Sequence, residues 1–252
     1  MNPQIDFAKV IAHRGASAEY PENTWLAFEQ ARLQGARWLE LDVWVSAAGV
    51  PVVFHDESLT RMTNGVGKIT EVSSEYLSSL KIKQRGKLFK NERIPYFEDV
   101  LVWLDKYQLS ANIELKSLEA SSNLQLSAKI ICDLIKCFPS VALIISSFST
   151  ALLIEVRRQL PDYRLGLLVN IVSPERWQEK IDEHLAMFKR LNCFSLHVNE
   201  RGLDQNQARQ LKQLFACPLL SYTVNDVSRA KELLSWGVDA VFSDYPELLK
   251  VV

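Results

Sequence analysis

The sequence predicts a single α/β domain over residues 1–252, a closed TIM (β/α)8 barrel with a small insertion after its second strand. Three observations carry that expectation. Short β-branched apolar runs alternate with stretches of helical periodicity, eight of the runs precede a helix, and reactive side chains stand where the runs stop. Eight strand-helix units in 252 residues match the size of one such barrel. An open doubly wound sheet fits less well, because the turn after the first strand, His13-Arg14-Gly15-Ala16-Ser17, is not G-x-G-x-x-G.

Taken in order, residues 8–12 (AKVIA) read as the first strand, with Pro21 and Asn23 marking the start of a helix and Gly35 its stop. WLELDVWV (38–45) is the second strand, and PVVF (51–54) is a short extended piece beyond a turn at Ala47-Ala48-Gly49. Residues 57–95 break the alternation: polar and glycine-punctuated, they hold at most one short helix near 73–80 and read as the insertion. Phe97, Val100, Leu101, Leu104 and Tyr107 then recur at helical spacing before the strand ANIELK (111–116). Further strands are expected at 141–146, 164–169, 192–198, 218–223 and 239–243. Ser149, Ser173-Pro174-Glu175, Asp204, Asp226 and Pro246 start the helical segments between and after them.

Composition narrows the function. A net charge of -1 and the absence of basic blocks interleaved with aromatics argue against nucleic acid as a partner. The first ten residues lack the charged and apolar regions of a secretory signal, and no apolar run reaches membrane-spanning length, so a cytoplasmic protein without stable membrane insertion is expected. Cys132, Cys137, Cys193 and Cys217 show no C-x-x-C spacing and read as reduced core residues.

His13, Glu40, Asp42, Glu114, Lys116, His197 and Asp244 fall at the carboxyl ends of barrel strands, where the chemistry of this fold sits. Glu40 and Asp42, two apart in a strand, face the same way. With Glu114 they form a carboxylate cluster that needs a cation. That cation is either a hard divalent metal, Mg2+ or Ca2+, or a charge network with Arg14, Arg61 or Lys116. His13 and His55 are the candidate acid and base, since imidazole titrates near neutrality. Arg14 and Lys116 supply fixed positive charge suited to phosphate oxygens.

The motifs HRG (13–15), PENT (21–24), ELDV (40–43), HDESLTRMTNGVG (55–67) and NIELK (112–116) run in that order, followed by SSF (146–148), YTVN (222–225) and GVDAVFSDYP (237–246). With that set the chain resembles the glycerophosphodiester phosphodiesterases, in particular the small cytosolic bacterial type that accompanies glycerol 3-phosphate uptake. The resemblance implies a TIM barrel with an insertion after the second strand and one divalent cation held by Glu40, Asp42 and Glu114. It also implies His13 and His55 as the acid-base pair, Arg14 and Lys116 near the phosphate, and a small glycerophosphodiester as substrate. Two departures stand out. Many members read T-x-D-G where this chain has Ser46-Ala47-Ala48-Gly49, a change in a turn. Tyr222 replaces a frequent tryptophan, which bears on contacts to the glycerol or head group. His197 matches a histidine of close relatives and is a candidate substrate contact or a packed strand residue, while His184 reads as ordinary surface. Asp244 is a rim residue or the cap of the last helix.

The reaction expected is hydrolysis to glycerol 3-phosphate and an alcohol such as choline, ethanolamine or glycerol. The competing readings are a lysophospholipase D acting on lipid-like diesters and a non-catalytic glycerophosphodiester-binding protein. An amidohydrolase-type barrel ranks below both, because it would usually show H-x-H at its first strand, where this chain has His-Arg-Gly.

Overall fold

A computed structural model describes residues 8–117, 124–170 and 177–252. Eight strands run parallel and close on themselves: β1 (Val10–His13), β2 (Trp38–Val45), β6 (Ser110–Leu115), β7 (Leu143–Ser147), β8 (Arg164–Val169), β9 (Ser195–Asn199), β10 (Leu219–Tyr222) and β11 (Ala240–Ser243). Closure is made by β1, which pairs with β2 on one side and with β11 on the other, Ala12 standing opposite both Leu39 and Ser243. These strands are apolar on both faces because one face fills the cylinder and the other lies under helices. Thus Ile11, Trp38, Ile144, Leu220, Ala240 and Phe242 pack together as one cluster, apart from the larger core that includes Leu39, Leu41, Ile113 and Leu165.

Several helices begin where short polar side chains can take up unpaired amides. Ser149 caps α5 (Thr150–Gln159), Asp226 caps α8 (Val227–Ser235), and Asp204 with Gln207 forms a reciprocal capping box on α7 (Gln205–Phe215). For α1 (Trp25–Leu33) the cap is Thr24, one residue beyond the expected Asn23, whose φ of +55° and side chain serve another purpose described below. The cap expected at Ser173-Pro174-Glu175 lies outside the described residues, before α6 (Trp177–Arg190). Pro246 starts a 3-10 turn that ends at Lys250.

Two elements extend the barrel near its second strand. β3 (Pro51–Val53) folds back antiparallel on β2 through the 46–50 turn, with Val45 opposite Pro51 and Gly49 at φ +76°. Residues 57–95 then hold α2 (Ser74–Ser79), as expected, and also a hairpin of β4 (Ile82–Gln84) and β5 (Lys87–Phe89), which was not expected. The hairpin turns through Arg85 and Gly86, both at positive φ (49° and 77°), the geometry of a two-residue I′ turn. This segment has a small core of its own, with Leu59, Met62, Ile69, Leu77 and Ile82 packed against Trp44 and Phe54. Among the cysteines, Cys132 and Cys193 are buried as expected, whereas Cys137 is exposed.

Among the described residues no helix is long and apolar enough to cross a membrane.

Candidate active site

Strand register assembles the acidic cluster. Asp42 stands opposite Glu114 across β2 and β6, and His13 stands opposite Glu40 across β1 and β2, so four reactive side chains share one end of the cylinder. Glu40, Asp42 and Glu114 are 3%, 0% and 8% exposed, and each offers a carboxylate oxygen within 4.8 Å of the others. Two cations reach in. Lys116 bonds Glu114 and lies 3.0 Å from Asp42 Oδ1, while Arg14 Nε lies 3.2 Å from Asp42 Oδ2. Arg14 has φ +56°, and its amide donates to the Glu40 carbonyl at 2.9 Å. Gly15 follows at φ +85° with no room for a side chain: a Cβ there would lie 2.6 Å from the Ala27 carbonyl carbon. That is why this turn reads His-Arg-Gly. Asn23 completes the support by donating its amide to Asp42 Oδ2 at 2.8 Å, a role its place before a helix concealed.

The electrostatics follow from crowding. Burial, Asp42 and Glu114 push the Glu40 carboxyl well above the ordinary carboxylate range, and burial with Asp42 pushes Glu114 up to about 7. Asp42 is held low despite its burial, because Lys116 and Arg14 outweigh it. Two of three acids therefore lack enough positive charge to ionise together. Asp42 Oδ1 is buried, its nearby Lys116 ammonium not aligned as a hydrogen bond. An all-oxygen donor set, under-compensated and pre-gathered, fits a hard divalent cation.

Both imidazoles are tethered by carboxylates. His13 Nδ1 donates to Asp244 Oδ1 at 2.7 Å, with His13 Nε2 3.8 Å from Glu40 Oε2. Asp244 also accepts from Ser17 and Asn225, and although burial opposes it, these donors and His13 hold its carboxyl down to about 2. His55 follows β3, where Trp44 Nε1 donates to its carbonyl at 3.0 Å, and its Nδ1 lies 2.6 Å from Asp56 Oδ1. Burial and then the cations Arg14 and Lys116 push His55 below the ordinary imidazole value, against the pull of Asp42. Asp244 thus serves as the partner of His13 as well as a rim residue.

A cavity of about 180 Å³ opens between these groups, lined by His13, His55, Arg14 and Lys116 and also by Phe148, Leu168 and Tyr222. The Tyr222 hydroxyl donates to the Val169 carbonyl at 2.9 Å, and its ring meets Phe148 edge-on at 6.0 Å. Eight sequence candidates thereby converge: His13, His55, Glu40, Asp42, Glu114, Arg14, Lys116 and Tyr222. His197 does not join them. It is fully buried inside the barrel beside Ser195 and Phe242, and burial lowers its pKa to about 3. It is seated there because Gly166 leaves the space, a Cβ at 166 coming within 2.7 Å of the ring. His184 is half-buried rather than surface. Arg61 pairs with Glu22 and Asp56, not with the carboxylate trio.

Carboxylates that could hold a hard cation, beside tethered imidazoles and fixed positive charge at a barrel mouth, fit a phosphodiester hydrolase of the TIM-barrel class. The particular family follows from comparison: the chain belongs to the glycerophosphoryl diester phosphodiesterase family, whose model matches residues 13–248. It is an enzyme of that family, a phosphoric diester hydrolase. A glycerophosphodiester phosphodiesterase of Caldanaerobacter subterraneus is 33% identical over 245 residues, covering 95% of each chain. One from Bacillus subtilis is 28% identical, covering 96% of this chain and 85% of the relative. Among solved structures, an Oleispira antarctica phosphodiesterase in complex with the product sn-glycerol-3-phosphate is 32% identical with a TM-score of 0.85, covering 99% of this chain and 96% of that one.

Proposed function

We propose that this enzyme hydrolyses small glycerophosphodiesters to glycerol 3-phosphate and an alcohol, using one divalent cation, Mg2+ or Ca2+, and two histidines. The observation that carries the reading is the meeting of His13 and His55 with the Glu40, Asp42 and Glu114 cluster around one cavity. Glu40, Asp42 and Glu114 would hold the cation, which when bound draws charge from a non-bridging phosphate oxygen. Arg14 and Lys116 add to that by facing the negative charge that builds on the phosphoryl oxygens. His55, kept neutral by burial and the neighbouring cations, accepts the proton of the attacking oxygen, whether of water or of the adjacent glycerol hydroxyl. His13 donates to the leaving alcohol oxygen, its ring held by Asp244. Tyr222 and Phe148 form a wall for the glycerol or head group. The product bound to the Oleispira relative supports glycerol 3-phosphate as the common product.

A cavity of about 180 Å³ is smaller than the roughly 300–1,000 Å³ of pockets for drug-sized ligands. It suits a compact diester better than the acyl chain a lysophospholipase D must seat. The test is to incubate the purified protein with glycerophosphocholine, glycerophosphoethanolamine, glycerophosphoglycerol and lysophosphatidylcholine, with and without chelator. Glycerol 3-phosphate should appear from the first three and vanish with chelator. Choline released mainly from lysophosphatidylcholine would reverse the substrate order, and full activity in chelator would remove the cation.

A further inference from the structure

We infer that Arg61 and Glu22 are positioning residues for His55, and that through them the insertion takes part in the reaction. This inference rests on the proposed role of His55. Neither residue lines the cavity, yet together they link His55 to the acidic cluster beside it. Arg61 grips Asp56 with Nε at 2.5 Å from Oδ2 and Nη2 at 2.8 Å from Oδ1, the oxygen that also accepts from His55 Nδ1 at 2.6 Å. The same guanidinium grips Glu22, Nη1 to Oε2 at 2.9 Å and Nη2 to Oε1 at 2.6 Å. Glu22 Oε1 in turn accepts from Arg14 Nη1 at 3.0 Å, and Arg14 Nε lies 3.2 Å from Asp42. Six side chains thus run from the second imidazole to the acidic cluster, and the five beyond the imidazole alternate in charge.

The geometry argues for orientation over stability. Arg61 is about half exposed, with its side chain at 47%, so its ion pairs add little to folding. What it fixes is direction. His55 does not sit on a barrel strand, and among the described residues its ring has a single side-chain hydrogen-bond partner, Asp56, itself partly open to water. A carboxylate adjacent in sequence to the ring it holds can rotate away with its own χ angles. Arg61 prevents this by occupying both Asp56 oxygens with a planar fork, and Glu22 prevents the fork itself from turning. Arg61 comes from the insertion and Glu22 from the loop after β1, so the insertion is fastened to the barrel at the point where it steadies the imidazole.

The experiment measures kcat and KM on glycerophosphocholine with saturating Mg2+ for Arg61→Gln, Arg61→Lys, Glu22→Gln, His55→Ala and the pair Arg61→Gln with His55→Ala. Loss of a group that orients an active residue typically costs 10–100-fold. Arg61→Gln is therefore expected to lower kcat by about 10–100-fold with KM little changed, Glu22→Gln to lower it less, and Arg61→Lys to recover only part. In a further variant, Arg61→Ala, added guanidinium ion should restore turnover, a rescue that a misfolded variant cannot give. In the His55→Ala background, Arg61→Gln should cost nothing further. Wild-type kcat in Arg61→Gln, or an equal further loss without His55, overturns the inference. His55→Ala turning over like the wild type would instead overturn the role of His55 itself.

Discussion

His13 Nδ1 lies 2.7 Å from Asp244 Oδ1, although 231 residues separate them. The contact exists because β1 and β11 are neighbours: Ala12 stands opposite Ser243, and the residue that follows each of these completes the pair. His55 obtains its carboxylate from the adjacent Asp56 at 2.6 Å. One imidazole therefore takes its carboxylate from the closing of the barrel, and the other from the next residue of its own chain.

Replacing Asp244 with Asn should lower kcat by about 10–100-fold through misorientation of His13. It should also remove an acid-sensitive part of stability. A carboxyl held down to about 2 from 3.8 stabilises the fold above its unfolded value and loses that contribution as pH falls through about 2. Urea unfolding should separate the variant from wild type by about 2 kcal/mol near neutrality, with the two curves converging as the solution is acidified. A constant gap down to the lowest pH would refute the linkage.

His13→Ala and His55→Ala should each cost on the order of 10²–10⁴ in kcat, the usual worth of one proton-transfer group. Because burial and nearby cations hold His55 below 6.5, the acid limb of the wild-type rate profile should have its midpoint below that value. A midpoint above it would contradict the assignment of His55 as the group that accepts the proton.

Cation binding should release protons. Glu40 and Glu114 are raised in the fold, Glu114 from 4.5 to about 7, so their contribution is present below the unfolded value and lost as pH rises through the folded one. The protein in chelator should lose stability between pH 4.5 and about 7, and the stabilisation given by Mg2+ or Ca2+ should widen over the same window. Melting curves with and without chelator at several pH values check this, and a gap independent of pH would count against these carboxylates as ligands.

Gly15→Ala should destabilise more than Gly35→Ala. Both have positive φ, 85° and 98°, which costs roughly 1–2 kcal/mol for a side chain. A Cβ at Gly35 meets nothing within 4 Å, whereas one at Gly15 meets the Ala27 backbone at 2.6 Å. Overpacking should add about 1–3 kcal/mol and displace Arg14, so Gly15→Ala should also lose activity. Equal melting temperatures for the two variants would show that the clash is relieved elsewhere.

The strands were legible because barrel strands buried on both faces leave continuous apolar runs, as in LELDV and RLGLLV, and carboxylates inside such runs have no place except at a mouth. The β4–β5 hairpin was not, since IKQ and KLF are too short and polar to register, although Arg85-Gly86 between alternating residues was a usable signal. Asn23, with Pro21, marks a helix start in the sequence, yet its side chain supports Asp42. Nothing in spacing links Glu22 to Arg61 across 39 positions. Such partners are fixed only by tertiary approach, and the same holds for His197, whose burial depends on a glycine one strand away.

The antiparallel return of β3 makes the short bend at residues 46–50 a ruler for the active site. A strand advances about 3.3 Å per residue, so a change in that bend that slid β3 along β2 by two residues would keep every side chain on its own face while carrying His55 some 7 Å from its place. The barrel would still close, and its acids would still gather. Reactivity in this enzyme is thereby vulnerable to a change in length at a spot where no reactive group resides.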